Sequence, residues 1–305
     1  MHTAPLPVNP HGSPLKGIRG HILTFKANPA LHDDAEGCYD YHADGLIVIQ
    51  DGYIVDAGDY SAIAPAYPQM RDIDMYADAV VMPGFVDCHT HYVQSPMIGS
   101  YGETLLDWLE RYAYPTESRM ADKQSADETA REFFRQTLSQ GTTTANVFAT
   151  TYATSVNAFF EESERYNTRM ICGKVLQDRN LPEALKDPSA EESIAVAGEL
   201  LDKWHRRGRQ LYAVIPRFAP TSSSRQLQLA GELYQRHIDN GVYLHTHLNE
   251  SQNEIEWVRE LFPGMADYTD VYRHFGLVDR MTVMAHCCIM GENEWQTLHD
   301  CGCGV

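Results

Sequence analysis

The sequence predicts an α/β fold: a parallel, TIM-type (β/α)8 barrel with about six strand–helix units present, preceded by a small β-sandwich portion. Three observations predict it. After Pro83-Gly84, short β-branched runs alternate with amphipathic helical stretches, the pattern of a parallel sheet that is either doubly wound or closed. No G-x-G-x-x-G follows a strand, which weakens a dinucleotide-binding doubly wound sheet. The polar residues that look chemical, His89, His91, Arg217, His247 and His286, fall near the C-terminal ends of candidate strands, where closed barrels of this type build their sites.

Taken in order, residues 1–17 carry Pro5, Pro7, Pro10 and Pro14 and no apolar run, so a disordered, Pro-rich tail is expected rather than a signal peptide. Residues 18–83 read as the N-terminal part of a β-sandwich. Within them GLIVIQDGYIVDAGD (45–59) holds two β-rich runs around Asp51-Gly52, a strong hairpin pattern. Residues 84–305 read as the barrel, with strands expected over 85–91, 142–149, 170–176, 211–218, 242–248 and 281–287. Between them, 125–140 keeps Ala126, Ala130, Phe133, Phe134 and Leu138 at helical spacing and stops at Gly141. Segments 154–166, 190–206, 224–238 and 252–262 share that pattern.

The 305 residues carry 24 basic and 42 acidic side chains, a formal net charge of −18. Such a polyanion is repelled by nucleic acid and by anionic membrane surfaces, so neither is expected as a partner. No apolar run is long enough to span a bilayer. Seven unevenly spaced cysteines suggest reduced thiols and a cytoplasmic protein.

His89 and His91 sit two apart on one strand, so their imidazoles share a side and suit chelation of one ion. In a chain with 14 histidines a chance H-x-H is expected roughly once, and a second one exists at His245 and His247. The ensemble is more specific than the pair. Glu250 follows His247 by three residues, a carboxylate placed to move protons beside a metal ligand, and His286 adds a further strand-end imidazole. Such a donor set suits zinc, iron or another transition metal better than calcium or magnesium. The residues alone therefore point to metal-assisted hydrolysis.

The strings PGFVDCHTHYVQSPMIGSYGETLLDWLERYAYPTE, GTTTANVF, PRFAPTSS, HTHLNE and MAHC together resemble the guanine deaminases of the amidohydrolase superfamily, from about residue 20 to the end of the chain. That resemblance implies a substrate, guanine, hydrolysed to xanthine and ammonia, one zinc per subunit with iron as the alternative, and a homodimer. It also implies roles. His89, His91 and His247 would ligate the metal, Glu250 would shuttle protons, and His286 would orient the attacking water. Gln94 and Arg217 would hold the polar edge of the purine, with Phe218 lining the base pocket. The resemblance selects His247 over His245 through H-x-x-E, leaving His245 a supporting or structural role. A fourth ligand, an Asp on an eighth strand, is expected beyond Val305, as is the rest of the sandwich, so the 305 residues alone are expected to be poorly soluble or inactive.

Other readings of the same sequence are an aminohydrolase or chlorohydrolase acting on a pyrimidine, triazine or adenine-type ring, and a non-catalytic barrel fragment that binds a ligand or partner. The cluster His286, Cys287, Cys288, His299, Cys301, Cys303 lacks the paired spacing of a structural zinc site and reads as core and edge cysteines. Asp178-Arg179-Asn180 reads as a loop turn.

Overall fold

Asp51 and Gly52 both adopt positive φ, 54° and 81°, the conformation a two-residue hairpin turn requires and one that Asp and Gly accept readily. They join β2 (Tyr39–Gln50) to β3 (Tyr53–Asp59), paired antiparallel from Gln50 opposite Tyr53. The computed structural model describes residues 8–32 and 34–305 and separates into two units, Met1–Gly84 and Phe85–Val305.

In the first unit β1 (Lys16–Phe25) pairs antiparallel with β2 and parallel with β4 (Asp72–Val81), giving the order β3-β2-β1-β4. This is one sheet layer. Leu46, Val48 and Val55 on one face pack against Leu15, Tyr67 and Met70. The expectation of a disordered tail over 1–17 needs correcting. Residues 1–7 lie outside the described residues, but Asn9 N–H donates to Gln50 Oε1 (2.7 Å) and Ser13 N–H to Asp51 Oδ1 (2.8 Å). The non-proline residues of this segment supply the donors that its prolines lack, and so tie it to the end of the hairpin.

The second unit is a nearly closed parallel barrel. Its strands are β5 (Phe85–His91), β6 (Thr142–Phe148), β7 (Arg169–Gly173), β8 (Val175–Leu176), β9 (Leu211–Pro216), β10 (Tyr243–Leu248) and β11 (Thr282–His286). They pair in sequence order from β5 to β11, with β8 a short continuation of β7 against β9, so there are about six strand positions. The break between β7 and β8 comes where Gly173 passes so close to β9 that a Cβ would lie 1.9 Å from the Ala213 carbonyl oxygen.

Helices cover the outside, as the 3.6-residue spacing predicts. In Lys123–Ser139, Ala126, Ala130, Phe133 and Phe134 are buried, and Asp122 caps the first turn by accepting from Ser125 N–H (2.8 Å). Ala153–Tyr166, Ala190–Trp204, Ser224–His237 and Gln252–Leu261 likewise bury one face, and the last three are capped by Ser189, Ser223 and Ser251. Residues 105–118 also form helical turns, as do Tyr268–His274 and Glu292–Cys301. Among the described residues no helix is long and apolar enough to cross a membrane.

Candidate active site

Each chemical side chain sits where a strand delivers it. His89 and His91 end β5, Arg217 follows β9 directly, His247 is the penultimate residue of β10, and His286 closes β11. The exits are bent by non-glycine residues at positive φ: Asn249 (52°), His286 (74°) and Cys287 (50°). Such residues are uncommon and cluster at sites that need a sharp change of direction. Here the turn at Asn249 lets Glu250 reach the same cavity as His247.

The histidines converge across the barrel. His91 Nε2 lies 3.0 Å from His247 Nε2, and His89 Nδ1 lies 3.0 Å from His245 Nε2. Rings of His89 and His286, from β5 and β11, are 4.9 Å apart. Buried Phe148, at the end of β6, packs against His89, His91, His245 and His247 with ring separations of 4.5–5.3 Å and makes an apolar floor under them.

Burial, with the fields of neighbouring His286 and Arg217 adding to it, pushes His89 down to about 3. Burial also holds His91, His245 and His247 well below the ordinary histidine value. All four are therefore neutral at pH 7, the state in which imidazole offers a lone pair to a metal. His247 Nδ1 must donate to the Arg217 carbonyl oxygen (2.6 Å), because a carbonyl can only accept, and this leaves its Nε2 as the lone pair. Two nitrogens bonded to one ion at about 2.0–2.1 Å would stand roughly 3 Å apart, the spacing seen for His91 and His247. His91 Nδ1 is buried without a partner. The donor atoms of His89, His91 and His247 lie within 4.8 Å of one another, so the group can hold a metal ion, and its chemistry fits a transition metal.

Around this group Gln94, Arg217, Phe218, Glu250 and His286 line a single cavity with the three histidines. Glu250 Oε2 is 3.5 Å from His286 Nε2. Burial, with the charge of Glu254 adding and that of Arg217 opposing, raises the Glu250 carboxyl to about 7. All eight residues singled out in the sequence thus face one space. His245 is fully buried beside His89.

Sequence reasoning missed four residues here. Leu105, Trp108 and Leu109 line the cavity from the turns over 105–118. Glu117, completely buried, receives Arg217 Nη1 (2.6 Å) and Nη2 (3.1 Å) and Gln94 Nε2 (2.8 Å). A usable pattern was present. Glu117 lies four residues after Ala113 and three after Tyr114, on the same buried helical face, and a carboxylate there requires a cationic partner.

A comparison of the sequence with family models matches residues 80–305 to the amidohydrolase family. The chain belongs to that family. The guanine deaminase of Escherichia coli is 41% identical to this amidohydrolase over 286 residues, which span 94% of the chain and 64% of the relative. The solved guanine deaminase from Bradyrhizobium japonicum superposes with a TM-score of 0.92 at 34% identity, covering 95% of the chain and 62% of that structure. A structure of guanine deaminase from C. acetobutylicum with guanine bound in the active site gives a TM-score of 0.85 at 25% identity, covering 95% and 66%. The chain thus spans about two thirds of the length of these relatives.

Proposed function

We propose that this amidohydrolase belongs to a zinc-dependent guanine deaminase, which adds water to guanine and releases xanthine and ammonia. The observation that carries the reading is that a neutral three-histidine group, a carboxyl raised to about 7 and an Arg–Gln pair all line one cavity. The likeness to guanine deaminases supports the choice of substrate.

His89, His91 and His247 would hold the zinc, which as a Lewis acid lowers the pKa of water toward neutrality and so supplies a nucleophile. Glu250 accepts one proton of the attacking water and passes it to a ring nitrogen, then takes the second from the newly added hydroxyl and passes it to the departing amine. Burial raises its carboxyl above the ordinary value, which suits a group that must both take and give a proton. His286, within reach of Glu250, accepts from the water and orients it. Arg217 directs N–H donors at the carbonyl of the purine, while Gln94 engages the ring edge and Phe218 packs against the base. One C–O bond forms and one C–N bond breaks at C2, with the protons of water ending on the ring and on ammonia.

Ammonia release from guanine, cytosine, adenine and a chlorinated triazine, measured side by side, tests the proposal. Turnover of guanine with none of the others is expected. Absence of guanine turnover by metal-loaded full-length protein would overturn it.

A further inference from the structure

The polarity of the cavity is set by a residue that takes no part in the chemistry above. Glu117 presents two carboxylate oxygens and, when ionised, can only accept hydrogen bonds. One oxygen takes Arg217 Nη1, and the other takes both Arg217 Nη2 and Gln94 Nε2. The Tyr114 ring lies 5.4 Å from the Arg217 guanidinium carbon, adding a second constraint on its orientation. Burial works against the Arg217 charge, but the Glu117 carboxylate outweighs it, and the guanidinium is held above its ordinary value.

Two consequences follow for a ligand. Gln94 has its amide orientation fixed: Nε2 is committed to the carboxylate, so Oε1 is the atom left to accept from a ligand in the cavity that Gln94 lines. Arg217 spends two of its five N–H groups on Glu117 and keeps the others as donors. The cavity therefore sets an acceptor beside donors.

We infer that Glu117 is a positioning residue that makes the site specific for a ring carbonyl flanked by an N–H, and against a ring carrying an amino group at that place. An amino group there would meet the Arg217 donors and leave buried polar groups unpaired, the situation in which sites reject analogues most strongly. The inference rests on the guanine deaminase reading and adds to it the group that enforces the choice.

Glu117→Gln tests it, since an amide at 117 no longer supplies two acceptor oxygens and frees the Gln94 amide to turn over. The ratio of kcat/KM for guanine over 2,6-diaminopurine is expected to fall by at least about tenfold, with the loss for guanine mainly in KM. Bound metal should stay unchanged, and Glu117→Asp, which keeps the charge, should recover part of the ratio. An equal fall for both substrates, or no change in the ratio, would overturn the inference and mark Glu117 as merely structural. Should neither variant fold, competition against the unaltered protein decides: hypoxanthine, with its N–H-flanked carbonyl, must compete at least about tenfold more strongly than adenine. Equal competition would be contradictory. A wild-type protein that leaves guanine untouched would instead refute the proposed function.

Discussion

Glu250 is where the chemistry is most exposed to a single substitution. Glu250→Gln leaves the three histidines in place and removes only the group proposed to carry protons. Metal content should be retained while turnover of guanine falls by about 10²–10⁴-fold. An unchanged rate would take Glu250 out of the mechanism. In the metal-free protein its raised carboxyl also has a sign that can be checked. The folded state holds a proton that the unfolded chain, titrating at the ordinary 4.5, has already lost, so stability from this group is present below that value and lost as pH rises through about 7. The difference in stability between wild type and Glu250→Gln should therefore change between pH 5 and pH 8, in the direction of a relatively weaker wild type at high pH. A pH-independent difference would contradict the burial assigned to Glu250. At this scale the histidines were legible because a strand repeats every two residues and H-x-H advertises a shared side. For Glu117 the spacing from Ala113 and Tyr114 signalled at most a buried carboxylate; its role was not legible, because its partners Arg217 and Gln94 are 100 and 23 residues away and only the fold brings them together.

At the scale of elements, the same substitution should act oppositely at two glycines. Gly173, at the end of β7, has no room for a Cβ against the backbone of β9, so Gly173→Ala must push two barrel strands apart and is expected to cost about 2–3 kcal/mol. Gly198, inside the helix Ala190–Trp204, has open space at its Cβ, so Gly198→Ala should stabilise by about 0.5–1 kcal/mol through helix propensity. Denaturant midpoints for the pair measure both. A neutral Gly173→Ala would show that β7 and β9 are not so tightly apposed. Sequence periodicity located the six barrel strand positions and the five long helices to within a few residues. It did not register Tyr268–His274 or Glu292–Cys301. The first is seven residues long, so its buried stripe of Tyr268, Val271 and Tyr272 spans little more than one turn, and the second buries a polar residue beside Leu298: Glu294 accepts from Thr269 of the first helix and from Asn249 after β10. The helical turns over 105–118 escaped notice for a related reason, since they include a π-helical turn at Leu109–Ala113 that breaks the 3.6-residue repeat.

For the whole molecule, the barrel turns four separate strand exits, those of β5, β9, β10 and β11, into one site. Each exit alone offers little: a histidine pair that chance can supply, an arginine after a strand, a carboxylate in a turn. Parallel pairing in sequence order from β5 to β11 is what makes His89, His247 and His286 neighbours despite separations in sequence of more than 150 residues between the first two. This convergence is proposed to be a metal centre on which hydrolysis depends. The most direct measurement is metal content and xanthine formation followed together, in full-length protein, through chelation and stepwise return of zinc. One ion per chain is expected, lost from a His89→Ala/His91→Ala variant, with turnover rising in proportion to occupancy. Turnover that persists in metal-free protein, or full metal binding by that double variant, would contradict it.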